Sequence, residues 1–359
     1  MIYRLLGLML LIGSSLSAQH SFFSPHTPKA ADALGYEQRV TPTKATYYAV
    51  SAADDLAKVL RGAPREAEGT TPLLLKLPDP TGNVSTFRII RYQMITDELQ
   101  ARYPHYVTAY GWDVDAPNRK IFLEWTDLGF GASVTGGAEG RWYIAPHYWQ
   151  RQDLYQSYFT KDYPNRRQPQ HCGFFMNAAV QEAIEALGPP TTKSVGDCEL
   201  REYDLALACT GEYYAAVGGT EALVVAEMMT AINRVNEVFR ADLAITLKLI
   251  NLPVAGGGIE LVFDNPVSDP YDNEDGDAML GQNQTTIDNV IGSANYDIGH
   301  VFSTGGGGIA ALGSPCNINA KARGVTGLPN PTGDPFYTDF VAHEIGHQFG
   351  GQHTFNSTE

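Results

Sequence analysis

His343, His347 and His353 fall inside one stretch, HEIGHQFGGQH, near the end of this 359-residue chain. That spacing constrains the fold more than any other feature. On a helix four residues turn about 400°, so His343 and His347 project from one face, about 6 Å apart along the axis. Two imidazole nitrogens so placed suit one Zn2+ at ~2.0–2.1 Å. His353 would point about 240° away from His347 if the helix continued. The chain must therefore leave the helix and turn back. Gly350 and Gly351 lie between, and glycine takes left-handed φ at low cost and ends helices. Glu344 sits one residue round from His343, beside the metal without being forced onto it. Three histidines leave a fourth position open, whereas a structural zinc site usually closes with a fourth protein ligand, often Cys. The pattern predicts a catalytic Zn2+ on His343, His347 and His353, with Glu344 as general base towards a zinc-activated water.

The rest of the chain is read around that site. Lys plus Arg number 25 against 40 Asp plus Glu, a net charge of −15, which argues against nucleic acid as a partner. Residues 1–18 (MIYRLLGLMLLIGSSLSA) carry Arg4, then a short apolar run, then small residues. That is the build of an export signal with cleavage after Ala18, and the run is too short to span a membrane. No later run is long and apolar enough to do so, and the protein is expected outside the cell. Residues 19–48 form a loose lead-in. Strand-like runs and turns alternate from about Tyr47 to Tyr148, with Thr86–Gln93 and Lys120–Trp125 the clearest strands. Residues 150–197 read as a linker, with Gly188-Pro189-Pro190 near its end.

From Cys198 the periodicity changes. Tyr203, Leu205, Leu207 and Cys209 alternate as in a strand. If extended, Cys198 and Cys209 would lie ~36 Å apart, too far to pair. Thr220 reads as an N-cap, and Leu223, Val224, Met228, Ala231, Ile232, Val235 and Phe239 recur at helical spacing. Ile245, Leu247 and Leu249 mark a second strand, and Ile259–Phe263 a short third run. A helix around Thr285–Ile291 and a strand at Gly299–Phe302 follow. Strands mixed with helices predict an α/β or α+β layered domain.

HExxHxxGxxH resembles the zinc signature of the metzincin metallopeptidases. With GGIAALGSPCN at 307–317, the pattern resembles the reprolysin-like branch related to venom and ADAM-type proteases. The resemblance covers 197–359 and implies a secreted zinc endopeptidase: a twisted mixed sheet with the zinc helix beneath it, preceded by a mostly β propeptide over 19–196. It implies that the edge strand Gly308, Ile309, Ala310, Ala311 and Leu312 binds an extended protein or peptide substrate antiparallel. Two departures stand out: Thr354 follows the third histidine where that branch has Asp, and no Met-turn precedes Glu359, so the chain is read as stopping short of the domain's floor. A non-catalytic, metal-binding adhesion protein on the same scaffold would have no need of Glu344.

Pro169-Gln170-His171-Cys172-Gly173 resembles the P-x-x-C-G stretch with which latent ADAM-type proteases cap their zinc. A thiolate is a strong zinc ligand and would fill the fourth position. The alternative is a disulfide from Cys172 to Cys198, Cys209 or a partner further on. The acidic run Asp269–Asp277 fits a solvated loop better than a Ca2+ site, because position 1 of a D-x-D-x-D-G register falls on Tyr271. Thr304–Gly308 is Gly-rich without the Lys-Ser/Thr of a phosphate loop. His300 is expected to be structural, and Asn83, Asn283 and Asn356 stand in glycosylation sequons.

Overall fold

The structure, a computed structural model, describes residues 19–69, 71–163, 172–175 and 199–353. The leader over 1–18, Pro169–His171, the Gly188-Pro189-Pro190 turn, Cys198, Thr354 and Asn356 lie outside them. No helix among the described residues is long and apolar enough to cross a membrane.

Two sheets organise the chain. The first is a ten-stranded, almost wholly antiparallel sheet. Its strands are β1 (Gln19–Ser21), β2 (Phe23–His26), β3 (Thr46–Val50), β4 (Leu73–Pro78), β5 (Val84–Arg91), β6 (Val107–Asp113), β7 (Lys120–Thr126), β8 (Gly129–Thr135), β9 (Trp142–Pro146) and β10 (Leu154–Phe159). Neighbours β4 to β10 form a meander, and β3, β2 and β1 close its two edges. Local chemistry sets the turns. Asp79 Oδ1 accepts from the backbone N–H groups of Thr81 and Asn83, while Gly82 takes φ +92°, so β4 folds back into β5.

Period-2 alternation gives this sheet two buried faces. On β7, Ile121, Leu123 and Trp125 face a core completed by Leu56 and Leu60 of helix α1 (Ala53–Arg61). Phe122 faces the opposite way, into a second core, and Glu124 shares that face. Helix α2 (Asp97–Arg102), N-capped by Thr96, brings Leu99 to the same second core.

The second sheet has the order β11-β15-β16-β14-β12-β13. Here β11 is Cys172–Phe175, β12 Arg201–Cys209, β13 Ile245–Leu249, β14 Ile298–Ser303, β15 Gly308–Ala311 and β16 Gly324–Gly327. Strands β13, β12, β14 and β16 are parallel, and β15 runs antiparallel to β16. Helix α3 (Gly211–Ala216) follows β12. Helix α4 (Glu221–Asp242), N-capped by the Thr220 hydroxyl, packs on Leu205, Leu207, Ile298 and Phe302. Helix α5 (Gly276–Val290) covers the other face through Met279, Leu280 and Ile287 against Ala206, Ala208 and Val301.

Several expectations are corrected. Residues 150–197 are not one linker: β10 is a fully buried strand between β9 and β3. Its tyrosines and phenylalanine make it look polar and aromatic, but they are core residues. Ile259–Phe263 is no strand; Leu261 takes φ +65° and the run makes only isolated bridges, Ile259 to Pro253 and Val262 to Cys209. The helix expected near Thr285 starts at Gly276, because Asp275 caps it, so the acidic run ends inside a helix. Asn283 is buried, bonded to the Tyr271 hydroxyl and the Ala322 carbonyl, and is no accessible sequon.

The largest surprise is α4. The expected apolar positions are buried, but so are Glu227, Thr230, Asn233, Arg234 and Glu237. The first sheet covers them. Arg234 donates to Glu124 of β7 through both terminal nitrogens (2.7 and 2.9 Å), and Asn233 also donates to Glu124. Gly131 leaves the room, since a Cβ there would sit 1.9 Å from Glu124 Oε1. Phe122 of β7, with Tyr92 just after β5 and Tyr106 just before β6, shares one apolar core with Val225, Met229 and Ile232 of α4.

Candidate metal centre

A single run of helical backbone carries the site. Helix α6 (Asp334–Phe336) passes through a π-turn (Tyr337–Val341) into α7 (Ala342–Gln348). Asp334, in its first turn, accepts from the Tyr158 hydroxyl at 2.8 Å and from Arg234 Nε at 3.2 Å. Phe336, Phe340, Val341 and Ile345 bury one face of this run in the core shared with α4.

The helix ends where the glycines predict. Gly350 takes φ +94°, its N–H bonds the His347 carbonyl at 2.8 Å, and Gly351 N–H bonds the Gly346 carbonyl. That reversal brings His353 back. The Nε2 atoms of His343 and His347 are 3.0 Å apart, and each is 3.2 Å from Nε2 of His353. His347 Nδ1 donates to the Gly351 carbonyl at 2.5 Å, so its Nε2 carries only a lone pair. Burial, reinforced by the neighbouring imidazoles, lowers His343 to about 4, and burial lowers His347 as well. Near neutral pH both are uncharged donors to a cation.

Cys172 completes the cluster. Its Sγ lies 3.1, 3.4 and 3.2 Å from Nε2 of His343, His347 and His353. The four atoms form a group able to hold a metal ion, the one such group among the described residues. The fit to zinc is metric. Nitrogens ~2.0–2.1 Å from a tetrahedral centre lie about 3.3 Å apart, and a sulfur at ~2.3 Å lies about 3.5 Å from each. The observed separations fall just inside those edges. Cys172, Cys209 and Cys316 are free thiols, so the disulfide between Cys172 and Cys209 is not formed.

Glu344 is wholly buried beside this cluster, its carboxylate next to the Cys172 thiol. Burial pushes its carboxyl up to about 8. The backbone of Gly308 lies over it: a Cβ there would fall 2.1 Å from Glu344 Oε1 and 2.3 Å from Phe340 Cε2. Strand β15 can therefore pass the carboxylate only as glycine.

Of the expected substrate strand, Gly308–Ala311 are strand and Leu312 follows it in a turn. Its outer edge is already paired. β11 runs parallel to it in the register Cys172 with Gly308 through Phe175 with Ala311. The expected antiparallel ligand has thus a parallel occupant from the same chain. Sequence reasoning missed this pairing, although Cys172-Gly173-Phe174-Phe175 is short, apolar and β-prone.

An HExxH helix below the rim strand of a mixed sheet, with a third histidine delivered by a glycine turn, resembles the sites of zinc metallopeptidases. In keeping with that class, residues 225–354 match the family described as metallopeptidase family M12B, reprolysin-like. The first sheet lies outside the matched residues. No curated protein matches the sequence.

Proposed function

We propose that this chain is a secreted zinc endopeptidase in latent form, with 197–359 as its catalytic part and 19–196 as its propeptide. The observation that carries the reading is the convergence of His343, His347, His353 and Cys172 on one point beside buried Glu344. The histidines and Cys172 would hold the zinc, which when bound polarises the scissile carbonyl and makes water nucleophilic at neutral pH. Glu344 takes the proton of the attacking water and passes it to the leaving amine. An extended substrate would add to the outer edge of β15, where main-chain bonds supply affinity and side-chain pockets specificity.

The same contacts would keep the enzyme off. Cys172 occupies the position that water needs, and β11 occupies the edge that substrate needs. Zinc analysis of the purified chain tests the reading first: one equivalent is expected, and its absence refutes the proposal. In a Cys172→Ala background, Glu344→Gln should keep the zinc and abolish peptide hydrolysis. Cys172→Ala should raise hydrolysis above that of the unaltered chain, and a variant no more active than the parent removes Cys172 from latency.

A further inference from the structure

His300 sits in the middle of β14, fully buried, on the face that looks toward α7. Its Nδ1 is 2.8 Å from Gln348 Oε1 and its Nε2 is 2.8 Å from Thr326 Oγ1 of β16. The proton positions are determined. Gln348 Nε2 lies 2.9 Å from the Gly299 carbonyl, which can only accept, so that atom is the amide nitrogen. Gln348 Oε1 then accepts, and His300 must carry its proton on Nδ1. His300 Nε2 is left to accept from the Thr326 hydroxyl. Every group in the chain of bonds has one role, and burial keeps the imidazole neutral so that the roles hold.

Space is reserved for the arrangement. A Cβ at Gly324 would fall 2.4 Å from Gln348 Oε1 and 2.5 Å from His300 Nδ1. The backbone beyond is fastened too, since Ser314 N–H donates to the Gln348 carbonyl at 2.8 Å. Gln348 directly follows His347 and is the last residue of α7 before the turn that returns His353. That turn also supplies the Gly351 carbonyl that orients the His347 ring. A side chain fixed at 348 therefore fixes one metal-binding histidine, the group that orients it and the departure point of another.

We propose that His300 is a positioning residue for the metal centre, acting through Gln348. This rests on the metallopeptidase reading above and goes beyond it by assigning a role to a residue that touches none of the metal-binding atoms. Groups that fix ligand geometry at one remove typically weaken metal binding about 10–100-fold when lost.

The two nitrogens of His300 allow a paired test on the full chain, with zinc alone as the ligand and a competing chelator to read its affinity. His300→Asn places an amide nitrogen near the Nδ1 position and keeps the bond to Gln348. His300→Gln places its amide near the Nε2 position, keeping Thr326 and losing Gln348. Both remove the ring, and both should lower the denaturation midpoint of the zinc-free chain by similar amounts. Zinc affinity should stay within about threefold of the parent in His300→Asn and fall about tenfold or more in His300→Gln. Equal affinities in the two variants overturn the proposal. If neither folds, Gln348→Met and Thr326→Val carry the same contrast: the first should weaken zinc about tenfold and the second should not. A parent chain that takes up no zinc is a different result, and overturns the peptidase reading itself.

Discussion

Gly308→Ala tests the closest approach in the site. The new methyl carbon would lie 2.1 Å from Glu344 Oε1, 2.5 Å from its Cδ and 2.3 Å from Phe340 Cε2. Ordinary contacts of these kinds are above about 3.3 Å, so roughly 1 Å of overlap must be relieved. Phe340 and Glu344 are both wholly buried and belong to one helical run, so neither has open space to yield into. Overpacking of this kind costs about 1–3 kcal/mol. For a chain of 359 residues that is a fall in Tm of roughly 1–4 °C. Moving the Glu344 carboxylate by ~1 Å should cost about 100-fold in peptide hydrolysis. None of the three histidines is among the atoms nearest the new methyl, so zinc content should be unchanged. Scanning calorimetry and zinc analysis on parent and variant, and a peptide-cleavage assay with both in a Cys172→Ala background that relieves latency, give the three readouts. A Tm within 1 °C of the parent together with undiminished hydrolysis would refute the reasoning about this contact.

The buried pair between the two sheets should be costly to break and cheap to replace. Glu124→Ala should lower the unfolding free energy by about 3–5 kcal/mol, whereas Glu124→Leu with Arg234→Met should lose far less, as measured by urea denaturation. His300 gives a pH dependence of defined sign. Its pKa falls from 6.5 unfolded to about 4 folded, so its stabilising contribution is present above pH 6.5 and is lost as pH drops towards 4. The loss should reach up to about 3 kcal/mol, and His300→Asn should flatten it, as read from denaturation midpoints across that range. Asp275→Ala removes the cap that accepts from Ala278 N–H and should cost about 1 kcal/mol without affecting zinc uptake.

What the sequence discloses depends on how local the signal is. The histidine spacing, the glycine turn and the Thr220 cap are all short-range, and the helices and site follow them closely. The alternation through Leu205 and Leu207 likewise announces β12. The buried polar face of α4 had no such herald. Arg234 and Glu124 stand 110 residues apart, and a helix with Glu227, Arg234 and Glu237 on one side ordinarily turns that side to water. The same holds for β11, whose pairing partner β15 lies far along the chain. His300 was legible only as a polar residue in an apolar strand; its partners Thr326 and Gln348 are set by sheet order and helix packing.

The sharing of α4 between two sheets acquires another meaning when the chain is made residue by residue. The tenth strand of the first sheet ends at Phe159 and α4 begins at Glu221, 62 residues later (221 − 159). A chain that emerges N-terminus first can close that sheet before the helix is available. Tyr92, Tyr106, Phe122 and Glu124 then lie ready as a preformed surface with aromatic contacts and one uncompensated carboxylate. The helix that emerges next carries the matching arginine. β12, already made, still needs β14 from further along to complete its pairing, so α4 has the earlier sheet to fold on before its own sheet is finished. The half made first thus presents the surface against which the helix of the metal-binding half packs, and a chain deprived of it would expose Glu227, Arg234 and Glu237 of that helix.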